Sequence, residues 1–187
     1  MARTATQVLE EEHRIVQRVA SSLAALGQEI ERGRPVSAER VRILGQFLEV
    51  FVRQCHQRKE EQLFSLLEKK GVPAAGCPIA ILNHEHAKFL ILVSQYINSV
   101  GMYVVTKGEA WNSLANTIHA LVTLLPGHIW KEDYLLLPLA DKVLTSNEQD
   151  TLLLRFAQVE SELGPEIHHA FERLAEHLEE AVQPCNG

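Results

Sequence analysis

The segment His56-Gln57-Arg58-Lys59-Glu60-Glu61-Gln62-Leu63 shares its pattern with His128-Ile129-Trp130-Lys131-Glu132-Asp133-Tyr134-Leu135. Both read His-x-x-Lys-Glu-acid-x-Leu. Residues four apart in an α-helix are separated by just over one turn, so the His and the Glu of each copy project from the same face. Two such faces turned toward each other would place two imidazoles and two carboxylates in one pocket. A pair of metal ions inside a helical bundle requires such a set of ligands.

The composition of the 187-residue chain is that of one globular domain, with 46% apolar and 22% charged residues. Gly and Pro are few, which favours helices over a turn-rich β fold. The formal charge of −6 argues against a nucleic-acid-binding surface. No apolar run approaches the roughly 18 residues that a membrane span needs. Residues 1–6 lack the apolar core of a signal peptide, and the three cysteines contain no C-x-x-C pair. The sequence therefore predicts a cytoplasmic protein that binds neither nucleic acid nor a membrane.

Apolar residues with a helical period, separated by Gly and Pro, predict five helices. These helices cover about residues 6–32, 37–70, 78–107, 114–143 and 148–181, with a loop at residues 72–76. Pro126 predicts a kink or a restart of the fourth helix immediately before His128. The predicted fold class is all-α. Residues 1–146 form an up-down-up-down four-helix bundle with a dinuclear metal site, and residues 147–187 add a C-terminal helix and a frayed tail.

Six residues of metal-ligand type interrupt the apolar stripes of the first four helices: His13, His56, Glu60, His86, His128 and Glu132. Glu60 and Glu132 stand where a Leu would continue the stripe, and a buried, unpaired carboxylate costs several kcal/mol. The stripes carry no Lys or Arg, so metal ions are the partner that this pattern predicts. Imidazole and carboxylate together suit iron, manganese or zinc, and bridging carboxylates suit a pair of ions.

Several residues compete with this set or are set aside. His84, Asp133 and Glu61 stay open as alternative ligands, although His84 and Asp133 fall off the stripes. Lys59 and Lys131 lie one position off the stripe, which predicts an outward orientation. The last helix contains a third His-x-x-x-Glu pair beside its stripe, and we interpret its histidines as surface residues: His168, His169 and His177. Four leucines are expected to form an apolar cavity at the site: Leu63, Leu82, Leu125 and Leu135.

The chain resembles the hemerythrin-like (HHE cation-binding) family over about residues 9–144. The matching motifs are Glu12-His13, His56-x-x-x-Glu60, Glu85-His86, His128-x-x-x-Glu132 and the lead-in at residues 77–86. This resemblance implies two non-haem iron ions with an oxo or hydroxo bridge, and Glu60 and Glu132 as bridging ligands, with manganese or zinc as less favoured metals. Oxygen carriers of the family have a second His four residues along the third helix. Leu90 stands there in this chain, which implies an open coordination position.

The leading hypothesis is a di-iron protein that binds oxygen, nitric oxide or hydrogen peroxide for sensing, scavenging or detoxification. Iron storage, iron buffering or iron-dependent regulation is the alternative, and a metal-free interaction module is the third hypothesis. The sequence leaves open whether peroxide or nitric oxide is consumed. It also leaves two roles for the last helix, which are to cover the bundle or to form a homodimer face.

Overall fold

The computed structural model describes the backbone of residues 3–73, 78–106 and 111–182. Within these ranges the chain forms six helices and no strand, which confirms the all-α prediction. The second and fourth helices each contain a stretch of π-helical hydrogen bonding. We number the helices α1 (Ala5–Glu31), α2 (Ala38–Gln46, π-helical Phe47–His56 and Gln57–Lys69), α3 (Pro78–Thr106), α4 (Trp111–Lys131, π-helical Glu132–Leu136 and Leu137–Val143), α5 (Ser146–Leu163) and α6 (Pro165–Val182).

The first four helices form the predicted up-down-up-down bundle. α1 packs along α4, α4 along α3, and α3 along α2. Thr4 caps the N-terminus of α1, and Ser37 caps that of α2 as expected, because each side chain accepts a hydrogen bond from a backbone N–H of the first turn. The remaining side, between α1 and α2, is covered by α5 and α6, which we call the C-terminal hairpin.

The prediction of one continuous helix after residue 147 is wrong. α5 ends at Leu163 and α6 begins at Pro165. Gly164 has a φ of 113°, a conformation that favours glycine, and a proline is well suited to the first turn of a helix. The break lets α6 fold back along α1.

α4 continues through Pro126, so the helix does not restart before His128, and the kink at the proline stays a prediction. Buried residues on both sides of the proline, including Leu121, Leu125 and Ile129, pack α4 against its neighbours and hold the helix in place. The irregular segments lie elsewhere: the π-helical stretch of α2 ends at His56, and that of α4 begins at Glu132. Both stretches therefore border residues of the predicted metal site, where π-helical turns are frequent.

Two apolar cores fill the bundle, one on each side of the predicted site. On α3 the buried face differs from the prediction. Leu90 and Ile97 are 38% and 41% exposed, and Phe89 and Tyr96 take their places in the core. The buried face continues from His86 in steps of three and then four residues, whereas the predicted stripe took the step of four first.

Within residues 3–73, 78–106 and 111–182, none of the helices combines the length and the apolar character that a membrane crossing demands. Residues 74–76 of the predicted loop and the predicted frayed tail at residues 183–187 lie outside the described residues.

Candidate metal centre

The four bundle helices bring the six predicted ligand residues into one cluster. α1 and α3 each supply one of them, and α2 and α4 each supply two: His13, His56, Glu60, His86, His128 and Glu132. Five of the six residues are buried, and the side chain of His128 keeps 11% exposure. The cluster lies between the two apolar cores, which keeps its polar atoms away from bulk water.

The candidate ligand atoms fall into two overlapping groups that share both carboxylates. The α1/α2 half consists of His13 and His56, and the α3/α4 half consists of His86 and His128. In each half, one ring nitrogen of each histidine and one oxygen of each glutamate lie within 4.8 Å of one another. Two carboxylates shared by two pairs of imidazoles are what a dinuclear site in a helical bundle needs.

Each shared carboxylate reaches both halves. Glu60 Oε1 lies 3.3 Å from His13 Nε2 and 2.9 Å from His56 Nε2, and its Oε2 lies 3.2 Å from His86 Nε2. Glu132 Oε2 lies 3.2 Å from His13 Nε2 and 3.3 Å from His128 Nε2, and its Oε1 lies 3.6 Å from His86 Nε2. The polar atoms thus surround a common space rather than form separate ion pairs.

Two observations test whether this cluster suits a metal. Both carboxylate oxygens of Glu132 are buried without a hydrogen-bond partner, and no other buried side-chain oxygen or nitrogen of the described residues is in that state. The Nε2 atoms of His86 and His128 approach to 3.1 Å, although only one of them can be the donor. A shared cation would satisfy all four atoms and offset the cost of the buried charge. The residues fit a metal centre.

Three of the four imidazoles contact a further carboxylate through Nδ1, the ring nitrogen that faces away from the cluster. Glu12 Oε2 lies 2.8 Å from His56 Nδ1, Glu85 Oε2 lies 3.1 Å from His128 Nδ1, and Asp133 Oδ1 lies 2.5 Å from His13 Nδ1. A carboxylate at Nδ1 accepts the ring N–H, so Nε2 carries the lone pair that a metal needs. His86 is held differently, because Phe64 stacks on its ring with the centroids 5.4 Å apart.

Two of these carboxylates also form an ion pair with a lysine. The sequence analysis did not predict these ion pairs. Lys59 Nζ is bonded to Glu12 Oε1, and Lys131 Nζ lies 3.0 Å from Glu85 Oε1. The prediction that both lysines point outward is wrong for Lys59, which is fully buried, whereas the Lys131 side chain is 21% exposed. The signal was present in the sequence, since the Lys recurs three residues after the His in both copies of the motif.

The C-terminal hairpin explains why Lys59 is buried. Glu160 of α5 accepts a second hydrogen bond from Lys59 Nζ at 2.5 Å, and the Phe156 ring lies 5.9 Å from the same atom. His168 of α6 packs here as well, with Nδ1 3.7 Å from Glu12 Oε1 and its side chain only 12% exposed. The prediction of His168 as a surface residue is therefore wrong, because α6 folds back over the bundle.

The other predicted positions are distributed as follows. His84 and Glu61 are exposed, as are His169 and His177. Asp133 contacts His13 from outside the cluster, through the nitrogen that faces away from Glu60 and Glu132. Among the leucines expected to form the cavity, Leu63, Leu82 and Leu125 are buried, but Leu135, within the π-helical stretch of α4, is 43% exposed.

The carboxylates control the protonation of the imidazoles. Burial lowers the pKa of His56, but the charge of Glu60 and the hydrogen bond to Glu12 outweigh this and raise it to about 9. Burial likewise lowers the pKa of His86, but the nearby carboxylates of Glu132 and Glu60 outweigh this and raise it to about 10. For Glu12, burial raises the pKa, but His56 and Lys59 lower it to about 2. In the absence of metal, protons on the imidazoles neutralise the carboxylates, and a metal must displace those protons.

A small cavity adjoins the cluster and reaches into the larger apolar core. Its volume is about 20 Å³. A water molecule needs roughly 10–15 Å³, so the space accommodates one very small molecule. The candidate ligands at its wall are His56, Glu60, His86 and His128, and the apolar side chains are Val16, Val52, Phe89, Leu124, Leu125 and Ile129. Gln57 and Glu85 also line it.

A family model described as the hemerythrin HHE cation-binding domain matches residues 4–140, which is more than half of the chain. The chain belongs to the hemerythrin HHE family. The match ends before the C-terminal hairpin, so the family assignment and all six candidate ligands lie within the bundle. No curated protein and no solved structure matches the chain significantly.

Proposed function

We propose that this hemerythrin HHE protein holds two iron ions and binds one small oxidant beside them. The observation that carries the proposal is the pair of buried carboxylates shared by two pairs of imidazoles. In this proposal His13 and His56 bind one ion, His86 and His128 bind the other, and Glu60 and Glu132 bridge them. The oxidant is oxygen, nitric oxide or hydrogen peroxide, and the role is sensing, scavenging or detoxification in the cytoplasm.

The donor set supports iron. Four imidazoles and two carboxylates without a thiolate suit iron, manganese or zinc better than metals that prefer sulfur, and the hemerythrin family favours iron among the three. When bound, the iron ions would supply Lewis acidity and a reversible change of oxidation state. Two imidazoles and two shared carboxylates for each position leave coordination positions open for an exogenous ligand. Leu90 of α3 adds no ligand and is 38% exposed.

The chain contributes orientation and the exclusion of water. Glu12, Glu85 and Asp133 hold three of the imidazoles with Nε2 toward the shared carboxylates. The apolar residues around the cavity keep water from competing for the open position and limit the ligand to a few atoms. An oxidant of the size of oxygen, nitric oxide or hydrogen peroxide fits this space, whereas a larger organic substrate does not.

Gln57 is the residue that we assign to ligand recognition. It is 5% exposed and lines the cavity with a side-chain amide that can donate a hydrogen bond. The equivalent position in the other motif copy, one residue after His128, is Ile129, which also lines the cavity. The two motif copies therefore contribute one polar and one apolar residue to the lining of the cavity, and in this proposal Gln57 donates a hydrogen bond to the ligand.

The test is anaerobic purification followed by metal analysis and optical spectroscopy. We expect two iron ions per chain and an oxo-bridged ferric band that changes on addition of oxygen, nitric oxide or peroxide. A His56→Ala variant should lose one of the two ions, and a His84→Ala variant should keep both. Loss of peroxide over many equivalents would show turnover rather than binding.

Two outcomes would contradict the proposal. Substoichiometric metal that is unchanged in the His56→Ala variant would exclude a metal centre. Two bound iron ions whose spectrum responds to none of the three oxidants would favour iron storage, buffering or regulation instead.

A further inference from the structure

In each half, one imidazole belongs to the same three-residue series of side-chain contacts. In the α1/α2 half the series runs from His56 through Glu12 to Lys59, and in the α3/α4 half it runs from His128 through Glu85 to Lys131. In both, the carboxylate precedes the His of the neighbouring helix, and the Lys follows the held His by three residues.

The two series of contacts differ in their exposure to solvent. The side chains of Glu85 and Lys131 are 18% and 21% exposed, and Lys131 also donates to Gly127 O within its own helix. The side chains of Glu12 and Lys59 are 2% and 0% exposed. Removing one member of a buried ion pair leaves an uncompensated charge, whereas a partly exposed pair is screened by water.

The C-terminal hairpin adds a further contact only to the buried series. Glu160 accepts a hydrogen bond from Lys59 Nζ at 2.5 Å, and Phe156 and His168 close the space around it. Glu160 is 33% exposed at its side chain, so it lies at the edge of the buried region. A continuous series of contacts thus leads from the hairpin to an imidazole of the cluster: Glu160, Lys59, Glu12 and His56.

We propose that Lys59 and Glu160 are positioning residues for the metal position of the α1/α2 half, so that the hairpin makes the two metal positions inequivalent. Lys59 fixes the position of the Glu12 carboxylate, and Glu12 in turn holds the His56 ring with Nε2 toward Glu60 and Glu132. Glu160 holds the lysine. This inference rests on the proposed metal centre and concerns the difference between its two positions.

The test uses the full-length protein with the variants Lys59→Gln, Lys59→Arg, Glu160→Gln and the matched control Lys131→Gln. Ferrous iron is titrated anaerobically into the metal-free protein against a competing chelator, and the iron-57 Mössbauer spectrum of each loaded variant is recorded. Outer contacts of metal ligands typically change metal affinity by about 10- to 100-fold. We expect Lys59→Gln to weaken one position by about that factor and to shift one of two quadrupole doublets.

The companion variants distinguish an effect on the position of the imidazole from a general loss of folding. Glu160→Gln should weaken the same position by a smaller factor and shift the same doublet, and Lys59→Arg should restore most of the affinity. Lys131→Gln should change affinity by no more than about threefold, and at the other position, because its ion pair is partly exposed. If Lys59→Gln does not fold, Glu160→Gln carries the test, since it leaves the Lys59–Glu12 pair intact.

Three results would overturn the inference. The first is an equal effect of Lys59→Gln and Lys131→Gln on both positions. The second is reduced stability in urea of Lys59→Gln or Glu160→Gln with unchanged affinities and doublets. The third is a wild-type protein that binds no metal, and it alone would also overturn the proposed function.

Discussion

The α1/α2 half and the α3/α4 half of the candidate metal centre share a sequence pattern and differ in what covers them. The C-terminal hairpin packs over the α1/α2 half, where Lys59 is fully buried, whereas Lys131 in the α3/α4 half retains 21% exposure. The sequence pattern therefore determines which residues pair, and the surroundings determine how strongly each pair acts. The same comparison separates Gln57 from Ile129, which take equivalent places in the motif and both line the cavity, one with a polar and the other with an apolar side chain.

The largest effect should come from the carboxylates that both halves share. In Glu132→Gln the bridging charge is lost, so we expect neither half to hold metal and the iron content to fall from two ions per chain to near zero. Metal analysis after anaerobic loading measures this. Glu61→Gln, an exposed change of the same kind in α2, is the control and should keep both ions. Retention of one ion in Glu132→Gln would show that the halves do not share this ligand.

Removal of the carboxylate behind each imidazole should distinguish the halves in the metal-free protein. Glu12→Gln leaves the buried Lys59 ammonium with only the partly exposed Glu160, and breaking a buried pair costs about 3–5 kcal/mol. Glu85→Gln breaks a partly exposed pair, which is worth about 1 kcal/mol or less. Urea unfolding followed by circular dichroism measures both. Equal losses in the two variants would contradict the difference in burial.

The pH dependence should be opposite for the metal-free and the metal-bound protein. The pKa values of His56 and His86 are raised from 6.5 to about 9 and about 10, so their stabilising protons are fully present below pH 6.5. That contribution to the free energy of unfolding is lost as the pH rises through 9 to 10. Metal binding displaces the same protons, so the increase in Tm on adding iron should grow across this range.

Thermal unfolding with and without metal, at several pH values between 6.5 and 9, checks this behaviour. A Tm increase on adding metal that does not depend on pH would show that protons and metal do not compete for these imidazoles.

A change at Gln57 should alter the affinity for the oxidant and leave the iron content unchanged. Gln57→Leu removes the amide, and a hydrogen bond contributes about 0.5–1.5 kcal/mol, or up to about tenfold in ligand affinity. Stoichiometric iron with weaker nitric oxide or peroxide binding in the optical spectrum is the expected result. Ile129→Val, at the equivalent apolar position, is the control and should change ligand affinity less. An unchanged affinity in Gln57→Leu would exclude the amide from ligand recognition.

The smallest effect is expected for His84→Ala on the outer face of α3. His84 is exposed, and surface substitutions usually change stability by no more than about 0.5 kcal/mol. Iron content and the optical spectrum should match those of the wild type. Loss of an iron ion in this variant would show that α3 supplies a second imidazole to the α3/α4 half.

The sequence by itself predicted the all-α bundle, the family and the six residues that converge in the cluster. These predictions worked because helical periodicity places residues on faces, and a His or Glu on an apolar face has few stable alternatives to a shared cation. The sequence did not determine which face of α3 is buried. Leu90 and Phe89 are adjacent apolar residues, and only packing against α2 and α4 shows which one is buried.

Only the tertiary structure decided the role of Lys59, the burial of His168 and the difference between the two halves. A lysine one position off the apolar stripe is ordinarily solvated, and nothing local in the sequence indicates that Glu160, about a hundred residues later, lies beside it. The turn at Gly164 brings α5 and α6 over the groove between α1 and α2. That packing removes water from one of the two equivalent lysines. The sequence motif therefore specifies two similar halves of the candidate metal centre, and long-range burial makes them different because the strength of an ion pair depends on its distance from water.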